Sequence, residues 1–180
     1  MPYFYGIKIP MNIPRIDYLP IEYVDIDKLH VTVLYIGKSK VSRRVLDELD
    51  SKLRDFPCFK IIISNEVEIL PNITKPKIVA LKILDKSRRL RVIREIIINT
   101  LKKWSISIED KYLHNFNPHL SIGKFIHKVD YNVCKEVIDF LERNLCKIEF
   151  QVSYVQLIDS TEAKYSILHV HKLSCLEDEV

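Results

Sequence analysis

Two short motifs in this sequence could do acid–base chemistry together. The first is His30-Val31-Thr32 and the second is His119-Leu120-Ser121. In a β-strand, residues i and i+2 project to the same face. Each motif therefore offers an imidazole and a hydroxyl on one surface. An unperturbed imidazole titrates near about 6.5, so neutral and charged forms coexist close to neutral pH. One neutral imidazole can take a proton from an attacking oxygen while one imidazolium gives a proton to a leaving oxygen. The hydroxyls can hydrogen-bond non-bridging phosphate oxygens as charge builds on them. This is the equipment for in-line cleavage of a phosphodiester, and it requires no metal. A single His-x-Thr carries little weight, because most strand histidines are packed or solvated. The pair carries more, because each motif is followed by a glycine, Gly37 or Gly123, and then by a helical pattern.

The elements around the motifs repeat in order. Apolar alternation and β-branched runs predict strands near 3–9, 29–36, 59–64, 66–70, 78–84, 119–125, 148–158 and 165–171. Apolar stripes predict helices near 42–55, with Ser42 as N-cap, near 87–103, and near 130–145, with Asp130 as N-cap. Pro71 and Pro76 bracket a turn, and Pro10, Pro14 and Pro20 mark an irregular loop. From each histidine the order is histidine strand, helix, strand, strand. The strand starting at Ile148 stands as far past His119 as the strand starting at Phe59 stands past His30. A duplicated α+β unit with a pseudo-twofold axis would read this way.

At this point the chain resembles the 2H phosphoesterases, which carry two HxT/S motifs on a duplicated fold. The branch it resembles is the RNA 2′,3′-cyclic phosphodiesterases, also called 2′-5′ RNA ligases. Leu29-His30-Val31-Thr32-Val33-Leu34-Tyr35-Ile36-Gly37 is similar to that branch's first motif, and Phe116-Asn117-Pro118-His119-Leu120-Ser121-Ile122-Gly123-Lys124 to its second. Phe4 to Pro10 resembles the opening strand; Leu157, Ser160, Tyr165 and Leu168 resemble the closing strand pair. The resemblance implies that His30 is the general acid for the leaving 3′ oxygen and His119 the base that activates water. Thr32 and Ser121 would hold the phosphate, and the product would be a 2′-phosphate. Two positions depart from the branch. Ser121 replaces the usual Thr and keeps the hydroxyl. Lys124 stands where Arg is frequent, keeping the charge without the bidentate fork.

Other residues have competing readings. Lys124 is a candidate substrate contact for phosphate. Tyr35 is a candidate for stacking a base, but strict period 2 turns it away from His30 and favours the core. Lys38, Lys40, Arg43, Arg44, Lys124 and Lys128 read equally as a basic rim for RNA phosphates or as a solvated face. His169 and His171 share a strand face, and HxH can ligate zinc. No third ligand presents itself in the sequence, so no metal site is assigned. His114 and His127 read as surface-loop residues, and Trp104 as core or interface. Cys58, Cys134, Cys146 and Cys175 show no CxxC spacing and read as reduced, structural cysteines.

Composition bounds the rest. The 180 residues allow one domain with a sizeable core, and 47% hydrophobic with 29% charged residues is ordinary for a globular protein. A net charge of +4 permits an anionic partner without identifying one. No membrane span or signal peptide is expected, and the cytoplasm is the expected compartment. The expectation is a single α+β domain spanning 1–180: a duplicated, two-lobed 2H phosphoesterase fold with antiparallel sheets around a central cleft and helices outside. Its expected activity is metal-independent, cofactor-free hydrolysis of RNA or nucleotide 2′,3′-cyclic phosphate ends by a monomer, with 2′-5′ ligation as the reverse reaction. The alternative is a non-catalytic RNA-end or nucleotide-binding module on the same fold, although both motifs keep their histidines.

Overall fold

The apolar stripes do form helices. In α1 (Arg43–Leu53) Val45, Leu46, Leu49 and Leu53 are buried on one face. In α2 (Arg89–Lys103) Leu90, Ile93, Ile97 and Leu101 are buried, and in α3 (Tyr131–Asn144) Val137 and Leu141 are. Asp130 caps α3 by accepting from the Val133 N–H, as its position predicted. Ser42 stands at the N-cap of α1, but only its backbone carbonyl bonds to the helix; the hydroxyl makes no cap bond.

The computed structural model describes residues 2–15, 17–160 and 165–175. Its strands are β1 (Tyr3–Lys8), β2 (Ile21–Tyr23), β3 (His30–Gly37), β4 (Phe59–Leu70), β5 (Ile78–Leu84), β6 (His119–Phe125), β7 (Ile148–Val152), β8 (Tyr154–Asp159) and β9 (Ser166–Lys172). Three boundaries differ from the sequence reading. The stretches 59–64 and 66–70 are one strand, β4, with an irregularity between Ile63 and Val67. The stretch 148–158 breaks at Ser153, because β7 pairs with β4 while β8 pairs with β1 and β9. Three-residue β2 is too short to show a period, and it arises by pairing with β6.

All strand pairs are antiparallel, and the sheet order is β7-β4-β5-β6-β3-β1-β8-β9, with β2 beside β6. The two histidine strands, β3 and β6, lie side by side at its centre. Each half of the sheet draws on both halves of the sequence. Strands β4 and β5 follow the first histidine yet flank the second, while β8 and β9 follow the second and extend the first. The repeat is thus an order of elements rather than a boundary between lobes. Helix α1 packs on β9 and α2, α2 on β3, and α3 on β4. One hydrophobic cluster joins these helices to Val31, Val33, Leu120 and Ile122 of the central strands.

Candidate active site

Strands β3 and β6 pair at a single position, Val31 opposite Leu120. These are the middle residues of the two motifs, and both are fully buried against the core. Their neighbours in sequence must therefore project to the other face, away from the core. The antiparallel register sets His30 across from Ser121 and Thr32 across from His119, with the two histidines as diagonal neighbours. Diagonal positions in an antiparallel pair lie about 7–8 Å apart at their Cα atoms. All four side chains are half-buried.

The register repeats on both sides of this pair. On β1, Lys8 is the cross-strand partner of His30 and Gly6 of Thr32. On β5, Lys82 is the partner of His119 and Ala80 of Ser121. Each histidine thus has a lysine beside it, and each hydroxyl has a residue with little or no side chain. Lys82 is held by Glu66 at 2.9 Å. The ladder then slips on both strands at the same place: between Tyr5 and Gly6 opposite β3, and between Val79 and Ala80 opposite β6. The residues passed over are Val33 and Ile122, each three past its histidine. A bulge of this kind reverses the alternation beyond it. Leu34 is buried like Val33, and Tyr35 emerges on the same side as His30, partnered with Phe4. Tyr35 is 36% exposed, so the expectation that period 2 would send it into the core is corrected. Lys124 occupies the matching place on β6 and is exposed, with its ammonium 2.9 Å from Glu22.

Beyond the shared pair β3 and β6 diverge, and each opened edge is covered. Arg94, on α2, donates to the carbonyl of the bulge residue Val33 and to that of Tyr112, and it pairs with Asp110 at 2.9 Å. Asp110 accepts from the Tyr35 N–H at 3.2 Å. On the other strand β2 does this work, and the Val24 N–H donates to the Ile122 carbonyl at 2.9 Å. Arg94 is buried and also lies over the Phe116 ring, 4.7 Å from its centroid. Gly37 and Gly123 are not equivalent. Gly37 has φ +89, whereas Gly123 lets β2 approach: a Cβ there would meet Ile21 Cγ2 at 2.7 Å.

Both imidazoles are held alike. His30 Nδ1 lies 2.6 Å from the Lys28 carbonyl, and His119 Nδ1 lies 3.1 Å from the Asn117 carbonyl. A carbonyl only accepts, so Nδ1 carries the proton in each ring and Nε2 is left for a substrate. The environments differ. His30 is flanked by the Phe4 ring, with centroids 4.6 Å apart, and by the Tyr165 ring at 5.4 Å. Burial pushes the His30 imidazole below its ordinary pKa, the charges of His119 and Lys8 push the same way, and the Lys28 carbonyl opposes them. Phe4, Gly6, Lys8, Ala80 and Lys82 were not visible as site residues in the sequence, because only cross-strand register brings them to the motifs.

The remaining candidates fall elsewhere. His114 and His127 are exposed, as are Lys38, Lys40, Arg43, Arg44 and Lys128. Trp104 is 40% exposed rather than core, with its indole N–H donating to Glu48. His169 and His171 meet a third potential ligand, Asp50, which the sequence did not present because α1 and β9 are far apart along the chain. The reading of four reduced cysteines is corrected at Cys58 and Cys175, which form a disulfide; the chain segments carrying them also pair, Pro57 with Ser174. Cys134 and Cys146 are free.

The family model of the 2′-5′ RNA ligase superfamily matches residues 17–164, a span that includes both motifs. The chain belongs to this superfamily. Solved structures of the same fold include TT0787 of Thermus thermophilus, with a TM-score of 0.69 at 15% identity, covering 96% of this chain and 98% of that one. They also include E. coli LigT complexed with 3′-AMP, with a TM-score of 0.63 at 16% identity, covering 96% of this chain and 97% of that one. A structure described as a phosphoesterase aligns with a TM-score of 0.62 at 16% identity over 96% of this chain and 98% of its own. No curated protein matches the chain in sequence. The α+β fold, one antiparallel sheet with three helices, is that of the 2H phosphoesterases. Among the described residues no helix is long and apolar enough to cross a membrane.

Proposed function

We propose that this protein hydrolyses 2′,3′-cyclic phosphate ends of RNA or nucleotides to 2′-phosphates, by acid–base catalysis between His30 and His119. One observation carries the reading: two imidazoles, each anchored at Nδ1 by a backbone carbonyl, face one surface across the Val31–Leu120 pair, each with a hydroxyl two residues on. In the reaction His119 Nε2 takes a proton from water as the water oxygen attacks phosphorus. The bond from phosphorus to the 3′ oxygen breaks in line, and the His30 imidazolium gives that oxygen its proton. Thr32 and Ser121 donate to the non-bridging oxygens, whose charge rises in the transition state. Lys8 and Lys82 add positive charge beside the two imidazoles. Gly6 and Ala80 leave space for a phosphate to approach both hydroxyls. No step in this sequence requires a metal.

The nucleotide class of the substrate rests on the resemblance of both motifs and on similarity to E. coli LigT, whose structures include complexes with 3′-AMP, ATP and phosphate. Joining RNA ends through a 2′-5′ bond uses the same displacement with a 5′ hydroxyl in place of water: the P–O3′ bond breaks, a P–O5′ bond forms, and the same two groups carry the protons. The test is incubation of the protein with 2′,3′-cyclic AMP in the presence of a chelator, with the product isomer assigned by chromatography. Turnover to the 2′-phosphate is expected. Accumulation of the 3′-phosphate would refute the leaving-group assignment, and binding without turnover would leave the binding-module reading standing.

A further inference from the structure

The face of the sheet opposite His30 and His119 holds a second cluster that the proposed reaction does not use. Strand β9 presents His169 and His171 toward α1, which presents Asp50. His169 Nε2 lies 2.9 Å from Asp50 Oδ2, and His171 Nδ1 lies 2.7 Å from Asp50 Oδ1. The three ligand atoms all fall within 4.8 Å of one another. His171 is fully buried and its Nε2 has no hydrogen-bond partner. The Tyr5 ring, 5.7 Å away between centroids, is also buried, with its hydroxyl unpartnered. Two orphaned polar atoms beside a His–Asp–His cluster are not what a simple hydrogen-bond clamp would leave.

We propose that Asp50, His169 and His171 form a binding site for a first-row divalent metal ion, with zinc as the best fit. Two imidazole nitrogens and one carboxylate oxygen are a borderline donor set of the kind zinc takes, with a fourth position left for water. In a tetrahedral site with bonds of about 2.0–2.1 Å, ligand atoms stand about 3.3 Å apart. The two N···O contacts engage different oxygens of Asp50, so one contact is given up on metal binding, and the widest ligand separation, within 4.8 Å, closes by up to about 1.5 Å through side-chain rotation. Asp50 is 29% exposed, so an ion has a path in from solvent. Zinc on His171 Nδ1 leaves the ring proton on Nε2. The ion would tie the edge strand β9 to α1 behind the catalytic strands.

The experiment uses the full chain without an affinity tag, treated with chelator, gel-filtered and titrated with zinc chloride by calorimetry. One zinc per chain is expected, with a thermal midpoint that rises with free zinc. His169→Ala should weaken binding at least about 100-fold and abolish the thermal response. Its position on an edge strand makes it the deciding variant if Asp50→Ala does not fold. A variant carrying His114→Ala, His127→Ala and Cys146→Ser should still bind one zinc, excluding the surface alternatives. Hydrolysis of the cyclic nucleotide should be unchanged in His169→Ala, which separates this proposal from the one above. Failure of the wild type to retain zinc at micromolar concentration, or equal binding by His169→Ala, would overturn it and reduce the cluster to a clamp between helix and strand.

Discussion

Replacing Gly6 by alanine should damage the site in two ways, by filling space left for the phosphate and by displacing the ring that lies against His30. A Cβ at this position would stand 2.9 Å from Phe4 Cε2, 3.3 Å from Phe4 Cδ2 and 3.2 Å from the Val31 carbonyl oxygen. Carbon atoms prefer separations of about 3.5–4.0 Å, so the ring must retreat by about half an ångström or more. Phe4 is only 4% exposed and cannot swing into solvent. Its ring rests on His30 at a centroid distance of 4.6 Å, so the imidazole moves with it. Overpacking of this kind destabilises by about 1–3 kcal/mol, which for a chain of this size lowers Tm by about 2–12 °C. Misplacing a proton donor by a fraction of an ångström to one ångström should lower kcat by about 10–100-fold. The assay is cyclic-nucleotide hydrolysis under saturating substrate, beside a thermal melt. Adding Phe4→Leu should restore part of the loss by giving the new methyl room. Ala80→Gly, the matched change beside the other motif, should leave kcat near wild type. Wild-type turnover in Gly6→Ala would refute the claim that Phe4 transmits the strain to His30.

Other outcomes follow from the same geometry. His30→Ala and His119→Ala should each lower turnover by about 10²–10⁴-fold, and the double variant by much less than the product of the two, measured under single-turnover conditions. A substrate with a better leaving group should rescue His30→Ala more than His119→Ala, since only the acid becomes dispensable; equal rescue would refute the assignment, and greater rescue of His119→Ala would reverse it. With His30 as the acid, activity is lost as pH rises through its pKa. Burial depresses that pKa in the free protein, whereas a bound phosphate anion raises it, so the alkaline limb of kcat/KM should lie at lower pH than that of kcat. Coincident limbs would show that the substrate does not recharge His30. Arg94→Ala should destabilise by about 3–5 kcal/mol, because it leaves Asp110 buried and unpaired, and calorimetry should find Arg94→Lys intermediate.

What the sequence made legible was whatever depends on neighbours in the chain. The i, i+2 rule put His30 with Thr32 and His119 with Ser121, and the apolar stripes marked all three helices. The alternation rule failed for Tyr35 because the bulge at Val33 inserts one residue and turns every later side chain over. Nothing in Val-Leu-Tyr announces a bulge; its carbonyl is taken by Arg94, from a helix far along the chain. Distance along the chain hid the other features too. Asp50 and His171 meet across 121 positions, and Cys58 and Cys175 across 117. The lysine and small residue beside each motif are plain only once β1 is known to flank β3 and β5 to flank β6.

If the two nearly equal histidines do different work, as proposed, something in the duplicated half-site must set them apart. Carbonyl anchor, hydroxyl, lysine, small partner and bulge are all repeated, so none of them distinguishes acid from base. The aromatic surroundings do. At the position paired with the fifth residue past each histidine stand Phe4 on one side and Ile78 on the other. Phe4 and Tyr165 enclose His30, while Ile78 is 36% exposed. An enclosed imidazole resists charge until an anion arrives, and it then holds its proton close to that anion rather than losing it to water. This is what an acid that must act only on bound phosphate needs. Among the described residues no aromatic ring stacks on the second imidazole, which has Lys82, tied to Glu66, beside it. On the proposed mechanism the duplication would supply two proton carriers, and a few aromatic atoms on one side would divide the labour between them.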